Sequence, residues 1–186
     1  GTVSLGGTVD KPDSSIALQG SGLRYGAFPK AGLRLEARSA GRSDAKLELS
    51  LPRGKVSVDL RSGLPLLTLV RGPKAEDLSV TADKLALEEL PESVLGTRLL
   101  GEASLSAHLL GSLEAPRGEA KLKVTGGGVA EWRELGVEAL LSLGADSVGL
   151  DASVHSGKER LVHLLGKMDA APERLRTIEG LEKAPV

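Results

Sequence analysis

Hydrophobic and polar residues alternate with a period of two along most of this chain. The clearest runs span residues 33–38, 45–51, 56–60, 78–82, 103–109, 120–124, 137–143 and 148–154. Such alternation is typical of β-strands that bury one face and expose the other to water. The pattern therefore predicts strands with one aliphatic face and one charged face.

Short segments rich in glycine, serine and proline separate these runs and are interpreted as turns. They lie at residues 20–22, 39–41, 52–54, 126–128 and 156–157. Roughly twelve short strands joined by short turns favour an antiparallel meander. Helix is expected only at residues 87–95 and in the 169–186 tail. The apolar face of such a sheet must be buried, so a second sheet, closure into a barrel, or folding over into a trough all remain possible.

An internal repeat appears at an offset of 104 residues. The segment from Gly7 to Pro12 matches the segment from Gly111 to Pro116, and later glycines follow in the same order. Recurrence of this kind favours a stack of similar units over two separate domains. We predict a first β repeat over residues 1–98, a second over 99–168 that continues the same sheet, and a separate tail over 169–186.

Composition narrows the classes of function. Leucine occurs 35 times, whereas Trp, Tyr, Phe and Met occur once each. The 24 basic and 25 acidic residues nearly balance, which argues against nucleic acid as a partner. No apolar run is long enough to span a bilayer. Both ends of the sequence suggest a segment of a longer protein, so we expect any membrane anchor to lie outside it.

The sequence offers little for catalysis or metal binding. There is no cysteine, and the three histidines, His108, His155 and His163, lie apart in the sequence. The residue types of a catalytic triad occur at Ser104, His108 and Asp151, but the sequence has no nucleophile motif around the serine. We therefore predict no enzyme activity, no metal site and no cofactor.

The order of these elements resembles the TamB family and its wider AsmA-like relatives. The resemblance is carried by residues 78–90, 100–105 and 109–120, by the glycine-rich segment that follows, and by the alternating strands up to about residue 168. It implies an all-β fold, an elongated antiparallel sheet folded into an open trough (a β-taco) with an apolar interior. It also implies a Gram-negative periplasmic location and an inner-membrane anchor.

The resemblance implies transport rather than catalysis. Phospholipid acyl chains would bind in the trough, and the partners would be a TamA-like outer-membrane barrel and nascent outer-membrane proteins. Combined with the alternation, it predicts a lipid or client groove lined by Leu33, Leu35, Leu47, Leu49, Val56, Val58, Leu105, Leu109, Val137, Ala139, Leu141, Val148 and Leu150.

Two other interpretations remain open from the sequence. One is a strand-binding, chaperone-like module that uses the sheet edges and the apolar face. The other is a structural repeat with a dry interior. Because open sheet edges tend to pair, we also expect the isolated chain to form edge-to-edge dimers.

Overall fold

The chain forms eleven β-strands. The structure is a computed structural model, and it describes residues 1–8, 12–24, 29–63, 77–90, 97, 99–111, 116–129 and 132–169. The strands are β1 (Thr2–Gly7), β2 (Pro12–Leu23), β3 (Ala31–Ala40), β4 (Ser43–Ser50), β5 (Lys55–Ser62), β6 (Asp77–Ala86), β7 (Leu99–Leu110), β8 (Arg117–Val129), β9 (Trp132–Leu143), β10 (Val148–Ser156) and β11 (Glu159–Met168).

All eleven strands belong to one antiparallel sheet, in which each strand pairs with the next along the chain. Strands β1 and β11 form the two edges and do not pair with each other, so the sheet stays open. In the described ranges the only helical element is a single 3-10 turn, Leu87–Glu89, and no helix is long and apolar enough to cross a membrane. The predicted fold class is confirmed: an elongated, open, antiparallel sheet, consistent with a trough.

Charge pairs along the polar face agree with the register of the first strands. In the β3–β4 ladder, Arg34 lies opposite Glu48, Glu36 opposite Lys46, and Arg38 opposite Asp44. A slip by two residues would keep the apolar face intact but would set Glu36 opposite either Glu48 or Asp44. Like charges placed directly opposite are unfavourable, so this pattern favours the observed register.

Two of the predicted turns are wrong. Residues 20–22 lie inside β2 and residues 126–128 lie inside β8, where the ladder shifts register instead of reversing direction. Gly22 has φ +64° and Gly126 has φ +60°. Glycine tolerates this left-handed conformation, which inserts a β-bulge and lets the strand continue. As a result β2 and β8 have 12 and 13 residues, longer than the short strands predicted.

The sequence repeat corresponds to equivalent positions in the sheet. Strands β1 to β5 match β7 to β11 in order. The matched glycines lie at the same strand end: Gly7 is the last residue of β1 and Gly111 directly follows β7, with φ +82° and +87°. Because β6 pairs directly with β7, the described strands on both sides of the predicted boundary belong to one sheet.

The most buried apolar side chains are small, and several lie near the 3-10 turn. Ala86 is 1% exposed and Leu87 is 9% exposed. The guanidinium of Arg53, from the β4–β5 turn, bonds Glu88 at 2.6 Å and Glu102 of β7 at 3.1 Å. These contacts fix the end of β6 beside β7. Residues 91–96 and 170–186, which include most of the predicted helical positions, lie outside the described residues.

Candidate functional site

Aliphatic side chains form continuous rows that cross the sheet perpendicular to the strands. The register aligns one residue per strand into a first row that runs from β2 to β10: Leu18, Leu35, Leu47, Val58, Val80, Ala107, Ala120, Leu141 and Leu150. The second row runs from β3 to β11: Leu33, Leu49, Val56, Ala82, Leu105, Leu122, Ala139, Ala152 and Leu164.

Two further rows flank these on the same side of the sheet. A third row lies beside the first and contains Ile16, Ala37, Ala45, Leu60, Leu78, Leu109, Gly118, Leu143, Val148 and Met168. A fourth lies beside the second and contains Leu85, Ala103, Val124, Val137, Val154 and Val162. We call the surface made by these four rows the aliphatic face.

The register places all thirteen predicted groove residues on the aliphatic face. Five belong to the first row, five to the second, two to the third and one to the fourth. The same rows contain residues that the predicted set omitted, among them Leu18, Val80, Leu122 and Leu164. Val80 and Leu122 lie in alternating runs and could have been included. Leu164 was harder to find because apolar residues are contiguous at 161–162 and 164–165.

The aliphatic face is only partly buried. Leu122 is 38% exposed and Leu150 is 36% exposed, whereas the side chains on this face that are buried are small, such as Ala37, Ala82 and Ala103. Within the described ranges there is one sheet and no α-helix, so no second layer of regular structure covers these rows. The rows therefore present a broad apolar surface, and such surfaces usually mark binding sites.

One end of the aliphatic face, along the strand direction, has a polar border. Continuing each strand by two residues beyond the third row leads to Ser14, Ser39, Ser43 and Ser62, which the register aligns across β2 to β5. Ser39, Ser43 and Ser62 are at most 4% exposed, and the hydroxyl of Ser43 donates to that of Ser39 at 3.3 Å. The apolar surface thus ends at a line of buried hydroxyl groups in this half of the sheet.

The opposite face of the sheet carries paired charges. Glu48 accepts hydrogen bonds from Lys55 at 2.9 Å and contacts Lys46 at 3.2 Å, and these bonds lower the pKa of its carboxyl group below the usual value. A hydrogen bond from Lys123, at 2.8 Å, likewise lowers the pKa of Glu138. Exposed pairs of this kind add little stability. They keep this face hydrated, and they distinguish it from the aliphatic face.

A wide cavity of about 850 Å³ lies at β6 to β11, and its lining includes four residues of the second row: Ala82, Leu105, Leu122 and Ala139. Most of its lining residues belong to the polar face of β7 to β11, including Lys121, Lys123, His155, Arg160 and His163. Its acidic residues, Glu138 and Asp151, bond Lys123 and His163 respectively. This cavity is a wide depression between long charged side chains, and its mixed charge does not single out a ligand.

The three residues with catalytic-triad side chains, Ser104, His108 and Asp151, each form a hydrogen bond with a different residue. His108 bonds Asp77 at 3.0 Å, and Asp151 bonds His163 at 2.9 Å. The hydroxyl of Ser104 accepts a hydrogen bond from the backbone of Lys84 at 3.3 Å. The structure therefore does not bring Ser104, His108 and Asp151 together. Among the described residues, no three His, Asp or Glu side chains are grouped as metal ligands would be.

Comparisons with known proteins add no relative to this description. No family model matches the chain, and neither the curated proteins nor the solved structures contain a significant match. What bears on function is therefore the arrangement of the chain's own residues, and above all the aliphatic face, which no second layer covers within the described ranges.

Proposed function

We propose that the aliphatic face binds the acyl chains of phospholipid. In this proposal the chain is a segment of a periplasmic envelope protein, anchored in the inner membrane, that carries phospholipid between the two membranes. In the same proposal it assists the assembly of outer-membrane proteins with a TamA-like barrel, as the resemblance to the TamB family implies. The observation that carries the proposal is the set of uninterrupted aliphatic rows on an open sheet, over which the described part of the chain places no second layer.

The dimensions of the aliphatic face suit acyl chains. Eleven strands spaced about 4.8 Å apart give a surface roughly 48 Å long. Neighbouring rows are two residues apart, or about 7 Å, so the first three rows span about 14 Å along the strands. One leaflet of a bilayer has a hydrocarbon depth of about 15 Å, half of the full core. The face therefore offers an apolar width comparable with the length of a lipid tail.

The chemistry of the rows also suits acyl chains. They consist of Leu, Val, Ile and Ala with one Met and one Gly, and no aromatic or charged residue interrupts them. Each methylene group removed from water contributes about 0.8 kcal/mol, and contact with branched aliphatic side chains needs no fixed orientation. Binding would therefore depend on the length of the tail more than on its exact position, which is what movement along a surface requires.

A second candidate function is strand binding without lipid transport, and the β1 edge favours it. Val3 is 62% exposed and Leu5 is 83% exposed on this outer strand, which leaves one side of its backbone free for pairing. A nascent barrel strand would dock there by β-augmentation. In this alternative the aliphatic face would contact the apolar side chains of the client instead of lipid.

Native mass spectrometry of the chain, purified from a Gram-negative host without detergent, tests the proposal. We expect adducts with phospholipid masses, and lipid extraction from the same sample should identify the headgroups. Washing the purified protein with detergent-free buffer before the measurement removes loosely associated lipid and serves as the control. A protein that carries no phospholipid, even after incubation with phospholipid vesicles, would reject lipid binding and leave the strand-binding alternative.

A further inference from the structure

The aliphatic face extends to one end of β9, where the single tryptophan of the chain lies. Leu135 is two residues beyond Val137 of the fourth row, and it lies on the same face, opposite Ser156 of β10. Trp132 is the first residue of β9 and is 60% exposed. An indole ring combines a large apolar body with one N–H donor, so it is favoured where hydrocarbon meets water. This end of β9 therefore forms a boundary between an apolar surface and solvent.

Exposed charges of both signs lie beside Trp132. The guanidinium of the next residue, Arg133, donates to the backbone carbonyl of Trp132 at 3.4 Å. The backbone N–H of Gly157 donates to the carbonyl of Glu134 at 3.4 Å, which brings the β10–β11 turn with Lys158 to the same end of the sheet. Guanidinium and ammonium groups bind phosphate, and a carboxylate pairs with an ammonium. The set therefore suits a zwitterionic phospholipid headgroup, which carries a phosphate and an ammonium.

The other end of β9 has a different composition. Its turn, residues 144–147, contains no basic and no aromatic residue, and it carries the exposed carboxylate of Asp146. In β2 to β5 the buried serine hydroxyls border the aliphatic face at this same end. A phosphate would thus meet a negative charge at the β9–β10 turn and basic groups at the Trp132 end.

We propose that phospholipid on the aliphatic face is oriented, with its headgroup at the Trp132 end and its tails extending across the rows toward the opposite end. Trp132 lies at the level of the glycerol esters, while Arg133 and Lys158 contact the phosphate. The inference rests on the proposed function, because it assigns a direction to the lipid that the aliphatic face binds. From Leu135 to Leu143, a separation of eight positions, β9 spans roughly 26 Å. This exceeds the hydrocarbon depth of one leaflet, about 15 Å, so the tails can lie on the face along their whole length.

Tryptophan fluorescence measures this orientation directly, because the chain has only one tryptophan. The chain is loaded from vesicles with phospholipid that carries a nitroxide either on the headgroup or near the end of one tail. The loaded protein is then separated from the vesicles by gel filtration. The headgroup nitroxide should quench the emission of Trp132 at least roughly twofold more than the tail nitroxide does. Native mass spectra of the same samples give the amount of lipid bound, so quenching is compared at equal loading.

Moving the tryptophan to the other end of the same strand provides the control. Trp132→Phe combined with Ala145→Trp places the indole in the β9–β10 turn, where Ala145 is exposed. The tail nitroxide should then be the stronger quencher. Quenching of Trp132 that is equal for both nitroxides, or stronger for the tail nitroxide, would overturn the orientation and leave lipid binding intact. Mass spectra without bound lipid would reject the proposed function and this inference with it.

A charge reversal tests the contact with the phosphate without fluorescence. Lys158→Glu should lower the fraction of protein with bound phospholipid roughly threefold or more, because a carboxylate replaces a cation beside the phosphate. Lys167→Glu is the matched control, since it makes the same change at an exposed lysine near the other end of β11. Lipid binding by this variant should be unchanged. Equal losses for the two variants would show that the phosphate does not lie at the Lys158 turn.

Discussion

Leu49→Asp is expected to reduce the phospholipid bound to the chain at least roughly tenfold, because it sets a carboxylate among aliphatic rows. Leu49 lies directly between Leu33 of β3 and Val56 of β5, within the second row. An acyl chain that follows this row would have to desolvate the new charge, and no basic residue of the aliphatic face would pair with it. The measurement is the fraction of protein with phospholipid adducts in native mass spectra.

Ser50→Asp is the matched control for Leu49→Asp. Ser50 is the next residue in β4, is exposed, and points to the opposite face, where it lies across from Lys55. It introduces the same charge one position away, so lipid binding should be unchanged. A second pair repeats the comparison in the other half of the sheet: Leu141→Asp should lose lipid and Ser142→Asp should retain it. Equal binding by all four variants would show that lipid does not contact the aliphatic face.

Gly118→Ala is expected to lower the free energy of unfolding by more than about 2 kcal/mol, since it combines backbone strain with a steric clash. Gly118 has φ +138°, a conformation that residues with a side chain rarely adopt. A Cβ added there would collide with the backbone carbonyl of His108 on β7. Relief would require β7 and β8 to separate at one end of their ladder. Urea denaturation followed by circular dichroism measures the loss.

Gly166→Ala provides the control for this substitution. Gly166 lies in edge strand β11, its φ is not in the left-handed region, and an added Cβ meets no atom within 4 Å. Alanine there should leave stability unchanged or raise it slightly, because it restricts the unfolded chain. If both substitutions have the same small effect, the close approach of β7 and β8 at Gly118 is contradicted.

The period-two pattern was sufficient to predict the aliphatic face, for a physical reason. Successive side chains of a strand point to opposite faces, so alternation assigns each residue to a face before any pairing is known. Opposite charges such as Arg34 and Glu48 then agree with a register in which those faces coincide from strand to strand. This explains why residues as distant in sequence as Leu35 and Leu150 fall in one row.

The positions of bulges could not be predicted from the alternation. Glycine clusters at residues 20–22 and 126–128 have the composition of turns, and only the pairing partners on β3 and β9 show that the strands continue through them. The face to which each residue of β11 points was also difficult to assign, because a bulge at Leu161 and Val162 interrupts the alternation. In both cases the conformation depends on contacts between strands, which local composition does not encode.

Photo-cross-linking along a single strand tests the central claim most directly. A photoreactive phenylalanine is introduced separately at Lys46, Leu47, Glu48 and Leu49, and each variant is irradiated with vesicles of phosphatidylethanolamine and phosphatidylglycerol. Lys46 and Glu48 lie on the charged face, whereas Leu47 and Leu49 belong to the first and second rows. Lipid binding on the aliphatic face predicts strong cross-links to phospholipid at Leu47 and Leu49 and weak ones at the other two positions. Cross-linking that is equal at all four positions, or absent from Leu47 and Leu49, would contradict it.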